Sequence, residues 1–211
     1  MLTGIRCRLR PYELADAKTL AQIAGEFAVV RWMTAAFPHP YGIKAARAWV
    51  AKASTEAPVD NFAIEVDGAL AGGAGITPHV GEQRGTAEFG YWLGRAYWGR
   101  GIATEAACLL ASHALRERDL RRLEAHVFAP NVASARVLAK AGFVREAVLH
   151  ESYMERDGTI VDGYLYARLR STGKERDAAA GRAANQFTGV LHPRAEDFDE
   201  LPPARGPEHL S

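Results

Sequence analysis

Cysteine is almost absent from this 211-residue chain: only Cys7 and Cys108 occur, far apart in sequence. They make neither a disulfide framework nor a metal-ligand set, which suits a reducing cytoplasm. Each reads as a small buried apolar residue. The seven histidines are scattered, with no His-x-x-x-His pair, so a zinc enzyme is not expected. No apolar run approaches the ~18 residues of a transmembrane helix. The start, Met1 to Arg10, lacks the apolar stretch of a secretion signal. A surplus of one charge is missing as well. The 26 Lys and Arg meet 25 Asp and Glu, a net charge of +1, whereas a nucleic-acid binder usually carries a basic excess. Neither a membrane nor a nucleic acid is therefore expected as a partner.

What is present is an ordinary globular balance. At 48% hydrophobic and 24% charged residues, there is enough apolar surface to offset the entropy of ordering the backbone. Ile5 to Leu9 alternates apolar and basic residues and reads as a strand. Leu14, Ala17, Leu20, Ala21 and Ala24 then fall at helical spacing. Phe27 to Tyr41 is irregular and aromatic, broken by Pro38 and Pro40. Lys44 to Lys52 reads as a second helix. Phe62 to Val66 and Ala69 to Thr77 flank Asp67-Gly68, a two-residue hairpin signal. Ala87 to Leu93 is a third long strand. A helix from Ile102 to Arg118, a strand over Arg122–Phe128 and a helix over Val132–Ala141 follow, and Gly142 stops the last. Phe143 to Glu151 and Ile160 to Leu169 close the pattern as two strands.

The order β-α-α-β-β-β-α-β-α-β-β predicts an α+β domain over residues 1–171, with a mixed central sheet and about four helices. The crossover helix permits one parallel strand pair. Residues 172–211 change character. They hold five basic against seven acidic residues, four prolines and an acidic knot from Glu196 to Glu200. This tail is expected to be flexible or packed as an arm.

Chemistry concentrates between Glu88 and Glu105, which reads as strand, glycine turn and helix start. Gly99, Gly101 and the small Ala103 let backbone approach a ligand. The first N–H groups of the helix lack intrahelical partners, and with the helix dipole they suit a pyrophosphate. A tight turn is the plainer reading of the same glycines. Two other phosphate motifs are excluded: there is no Gly-x-x-x-x-Gly-Lys-Ser/Thr, and no Gly-x-Gly-x-x-Gly followed by an acid ~20 residues on. A second piece follows, from Arg122 through Asn131 and Ser134 to Lys140-Ala141-Gly142-Phe143.

In that order and spacing, Tyr97 to Ala106 and Asn131 to Phe143 resemble the GNAT acyltransferase superfamily, closest to its ribosomal-protein N-terminal acetyltransferase branch. The likeness covers about residues 3–170 and not the tail. It implies acetyl-CoA as cosubstrate, no metal, and direct attack of an amine on the thioester. The family's pyrophosphate loop falls on Trp98, Gly99, Arg100, Gly101, Ile102, Ala103 and Thr104. Trp98 stands where the family consensus has Gln or Arg. Backbone of Tyr91, Trp92 and Leu93 would pair with the pantetheine arm like an added strand. Asn131 matches a residue that bonds pantetheine, and as Asn before a helix it also reads as an N-cap. Ser134 matches the proposed general acid. Arg136 would meet the phosphates or face solvent.

For the base the resemblance leaves Glu88 and Glu124 open, with a surface carboxylate and an Arg-paired strand residue as their plainer readings. Tyr153 stands where a related enzyme has a catalytic glutamate. Trp32, Phe37 and Tyr41 fall in the family's substrate-binding loop, or serve as packing. His113 reads as structural, His39 flanks the aromatic loop, and His126 alternates with Glu124 on its strand as a candidate proton relay. The acceptor is expected to be a protein N-terminus. A small-molecule amine (an amino acid, polyamine or antibiotic) and a non-catalytic CoA-binding module are the alternatives. A cytoplasmic monomer or homodimer is expected.

Overall fold

Alternation and helical periodicity are realised in eight strands and five helices among the described residues, which are 1–35 and 37–170 of a computed structural model. The strands are β1 (Leu2–Thr3), β2 (Arg8–Arg10), β3 (Asn61–Val66), β4 (Ala69–Pro78), β5 (Thr86–Leu93), β6 (Arg122–Phe128), β7 (Val144–Met154) and β8 (Ile160–Leu169). The helices are α1 (Asp16–Ala24), α2 (Phe27–Val30), α3 (Ile43–Ala53), α4 (Ile102–Glu117) and α5 (Val132–Lys140). One sheet holds all the strands in the order β1-β2-β3-β4-β5-β6-β8-β7. Every pair is antiparallel except β5–β6, the pair bridged by α4, as a crossover requires.

The mixed sheet flanked by helices is as expected, with one added turn, α2, inside the aromatic segment. One expectation needs correction. The first strand is not Ile5–Leu9. Ile5 is exposed and the chain bends there. The backbone N–H groups of Ile5, Arg6 and Cys7 donate to the Glu105 carboxylate on α4 at 2.9, 2.6 and 3.0 Å. A carboxylate a hundred residues away thus takes the donors that a strand ladder would have used. The expected tail, 172–211, lies outside the described residues.

The sheet is covered on both faces. Alanine-rich α4 lies close against one face, burying Ile102, Leu110 and Ala114 with Ile64, Phe89 and Leu123. Each such leucine contributes about 1.5–3 kcal/mol by leaving water. On the other face α1 and α3 pack Leu20 and Val50 against Ala63, Leu70 and Tyr12. Buried Arg10 ties that layer to the sheet: Nε donates to Glu65 at 2.6 Å and the two Nη atoms to Asp16 at 2.8 Å each. Its charge is paired from both sides, as a buried charge requires.

Candidate active site

The site begins where the sheet comes apart. β5 and β6 pair only over Thr86–Glu88 against Arg122–Glu124. Beyond that point β5 follows β4 as far as Leu93, and β6 follows β8 as far as Phe128. The facing edges of Phe89–Leu93 and Ala125–Phe128 therefore have no strand partner. Interior backbone polar groups require one, and an extended arm carrying amides would supply it in the manner of an added strand. A cavity of about 1150 Å³ fills the wedge and reaches both faces of the sheet.

At the top of the wedge, Gly99 and Gly101 adopt φ of 74° and 75°, the left-handed region open to glycine at little cost. This turn delivers Gly101 as the N-cap of α4. Glu105 is the first residue whose N–H bonds back, to the Gly101 carbonyl at 3.1 Å. The N–H groups of Ile102, Ala103 and Thr104 thus remain available at the positive end of a 16-residue helix. The Trp98 indole donates to the Leu93 carbonyl at 2.8 Å and fixes the turn to the end of β5. Arg100 lies over the Tyr97 ring, 5.8 Å from its centroid, while Gly99, Gly101 and Thr104 line the cavity. A Cβ at Gly101 would lie 3.4 Å from Arg6 Nε, so a guanidinium stands beside the turn. Sequence reasoning missed it, because Arg6 was read as part of a strand.

Asn131 caps α5: its Oδ1 accepts the Ser134 N–H at 3.1 Å. Asn131, Ser134 and Arg136 all line the cavity. The Tyr91 phenol meets Ser134 twice, at 2.9 Å from Oγ and donating to its carbonyl at 3.1 Å. Burial pushes that phenol up to about 12, the bond to Ser134 opposing it only in part, so it stays protonated at neutral pH. The sequence had suggested a role for Tyr91 through its backbone alone.

The opposite face carries Glu88, Gly90 and Trp92, every second residue of β5, across from Thr77, Gly75 and Gly73 of β4. A Cβ on Gly73 would strike Tyr12 and Trp92, and one on Gly75 would strike Asn61, but Gly90 has nothing within 4 Å. Glu88 is exposed, lines the cavity at the fork of the strands, and makes no ion pair among the described residues. Phe37 stacks on Tyr41 at 4.4 Å and leans on Trp92 at 6.4 Å. Trp32 meets Phe128 at 6.3 Å, and Phe128 meets Tyr153 at 4.9 Å. Burial, then the charge of Glu88, raises the Tyr153 phenol.

Glu124 sits beside Glu88 in the register but is engaged elsewhere. Arg122 Nε donates to it at 2.6 Å, and the same guanidinium grips Glu146. His126 lines the cavity, His39 rests against Phe27 at 5.9 Å, and half-buried His113 meets the core residue Phe62 edge-on.

Comparison with known proteins agrees with this geometry. Residues 6–144 match the acetyltransferase (GNAT) domain. An uncharacterised N-acetyltransferase of Bacillus licheniformis, p20, is 30% identical over 169 residues, 78% of this chain and 93% of that protein. The RimJ structure of Mycobacterium smegmatis, in complex with CoA-disulfide, is 28% identical with a TM-score of 0.68, over 86% of this chain and 94% of that one. The ribosomal-protein-serine acetyltransferase of Escherichia coli is 34% identical over 84 residues, 40% of this chain and 46% of that protein. No helix among the described residues is long and apolar enough to cross a membrane. With the wedge, the glycine turn and the matched sequence in agreement, the chain belongs to the GNAT family and is an acetyl-CoA-dependent N-acetyltransferase.

Proposed function

We propose that this enzyme acetylates the α-amine of a polypeptide N-terminus, with Glu88 as the base. The observation that carries the reading is Glu88 itself: a cavity-lining carboxylate at the strand fork, free of any basic partner among the described residues. An α-amine has a pKa of about 7.7–8.0 against about 10.4 for lysine. At neutral pH on the order of a tenth of α-amines are already unprotonated, so one solvent-reached carboxylate is base enough. Lysine would require a stronger arrangement. The Escherichia coli relative named for ribosomal-protein-serine acetylation supports the same acceptor class.

The residues fit acetyl-CoA, which supplies the acetyl thioester. Ile102, Ala103 and Thr104 offer N–H groups to its pyrophosphate, with Arg6 and Arg136 close by. The open β5 edge takes the arm, and a backbone N–H of that edge polarises the carbonyl under attack. Glu88 accepts the amine proton, directly or through water. Ser134, its hydroxyl held by Tyr91, donates a proton to the departing sulfur.

The test is thiol release from acetyl-CoA over peptides with free N-termini, the same peptides N-blocked and carrying an internal lysine, and a panel of polyamines, amino acids and aminoglycosides. Turnover on free N-termini, reduced about 100-fold or more by Glu88→Gln, is expected. Turnover confined to the small amines overturns the acceptor class. Full activity of Glu88→Gln removes the base.

A further inference from the structure

The aromatic segment that walls the acceptor side has almost no ladder of its own. Outside the single turn α2 it is irregular, and Pro38 and Pro40 offer no N–H. Something else must fix it. The tip of the β7–β8 hairpin reaches across to it. Within the tip, Glu155 N–H donates to the Thr159 carbonyl at 2.8 Å, and Asp157 accepts the Thr159 N–H at 3.0 Å, so the turn is braced before it touches anything. Arg156 then donates from Nε to the Val30 carbonyl at 3.0 Å, and from Nη2 to the Thr34 and Phe37 carbonyls at 3.1 and 2.7 Å. Beside it, Arg31 Nη2 meets Glu155 Oε2 at 2.9 Å. One guanidinium thus ties three carbonyls spread over eight residues, which its planar fork of five donors allows and a single ammonium point does not.

We infer that Arg156 is a positioning residue for the acceptor. It holds Trp32 and Phe37 at a set distance from Glu88 and so shapes the space in which the amine approaches. This rests on the acceptor lying on the Glu88 face, as proposed above. The carbonyls that Arg156 binds are main-chain atoms. The device therefore works whatever side chains occupy the segment, and it sets the wall's position without touching the acetyl donor on the other face.

The test uses the full chain with Arg156→Ala and Arg156→Lys. Readouts are steady-state kinetics on a peptide with a free N-terminus, calorimetric acetyl-CoA affinity, and amide hydrogen exchange. For Arg156→Ala we expect KM for the peptide to rise about tenfold, the loss of a charge-assisted bond. Its kcat should stay within about threefold and acetyl-CoA affinity should not change. Arg156→Lys should recover part of KM, and exchange should accelerate in residues 31–41 but not in α4 or α5. Equal loss of kcat, KM and acetyl-CoA affinity would mark a merely structural role and overturn the inference. If the wild type acetylates no free N-terminus, the proposed acceptor class has failed instead. Exchange then decides the clasp, and unchanged exchange at 31–41 in Arg156→Ala overturns it.

Discussion

The two sides of the cleft are made from different materials. On the α4–α5 side the groups proposed to meet the acetyl donor are largely main chain: the N–H groups of Ile102 to Thr104 and the unpaired edge of β5. On the α1–α3 side the wall is aromatic side chain: Trp92 of β5, and Trp32, Phe37 and Tyr41 carried on an irregular segment that a distant hairpin ties down. A donor common to a whole family calls for a site that ignores side-chain drift, and backbone provides that. An acceptor that differs from enzyme to enzyme calls for a wall that can be re-cut by substitution. Donor binding should therefore be fragile at the glycines of the turn and tolerant of side-chain changes beside them, and acceptor binding should answer to the side chains that line its wall.

The sharpest way to break this contrast is at Gly101. A β-branched residue at φ 75° costs about 1–2 kcal/mol in backbone strain, and the turn it distorts aims the N–H donors. Gly101→Val should weaken acetyl-CoA binding between about 10²- and 10³-fold by calorimetry, with circular dichroism unchanged. Arg100→Ala beside it should leave affinity within about threefold. Equal effects of the two would erase the distinction between backbone and side chain.

Next in size is Ser134→Ala. A thiolate leaves readily, so acid help belongs at the low end of the usual range, about 10²-fold in kcat, with acetyl-CoA affinity almost unmoved. A kcat within twofold of wild type, where chemistry limits turnover, would leave solvent as the proton donor. On the other face, Gly90→Leu places a side chain in open space. Peptide KM should rise about tenfold while acetyl-CoA affinity holds. Loss of both would show that the two sides share one space at that residue.

The smallest effect concerns Glu105. Burial works against its charge, but the N–H groups of Ile5, Arg6 and Cys7 outweigh this and hold the carboxyl below its usual range. The stabilisation is then fully present above the unfolded value of about 4.3 and is lost as pH falls through the lower folded value. Glu105→Gln should cost about 1–2 kcal/mol at pH 7 in denaturant melts, and the gap to wild type should close in acid. A gap independent of pH would mean that the charge contributes nothing.

The same division of materials explains what could be read in advance. Arg122–Phe128 and Ile160–Leu169 were legible to the residue, because alternation along a half-buried strand is a local signal. The glycine turn and the Asn131 cap were legible because positive φ and capping select residue types. The bend at Ile5 was not, since its donors are taken by a carboxylate on α4. The Tyr91–Ser134 contact joins a strand to a helix three elements further along the chain, and no periodicity announces it. Arg156 was invisible for a further reason: it binds carbonyls, which every residue has, so nothing in the segment it fastens marks the partner.

The short β5–β6 ladder has one more consequence. Three residue pairs join the β1–β5 leaf of the sheet to the β6–β8 leaf, so a donor bound in the wedge as proposed would act as a splint between two halves of one fold. Spent CoA keeps the same arm, lacking only the acetyl group, and would be gripped by the same seam. On that reading product departure removes the splint, and the resting enzyme in a CoA-rich solution should melt later and turn over more slowly as CoA rises.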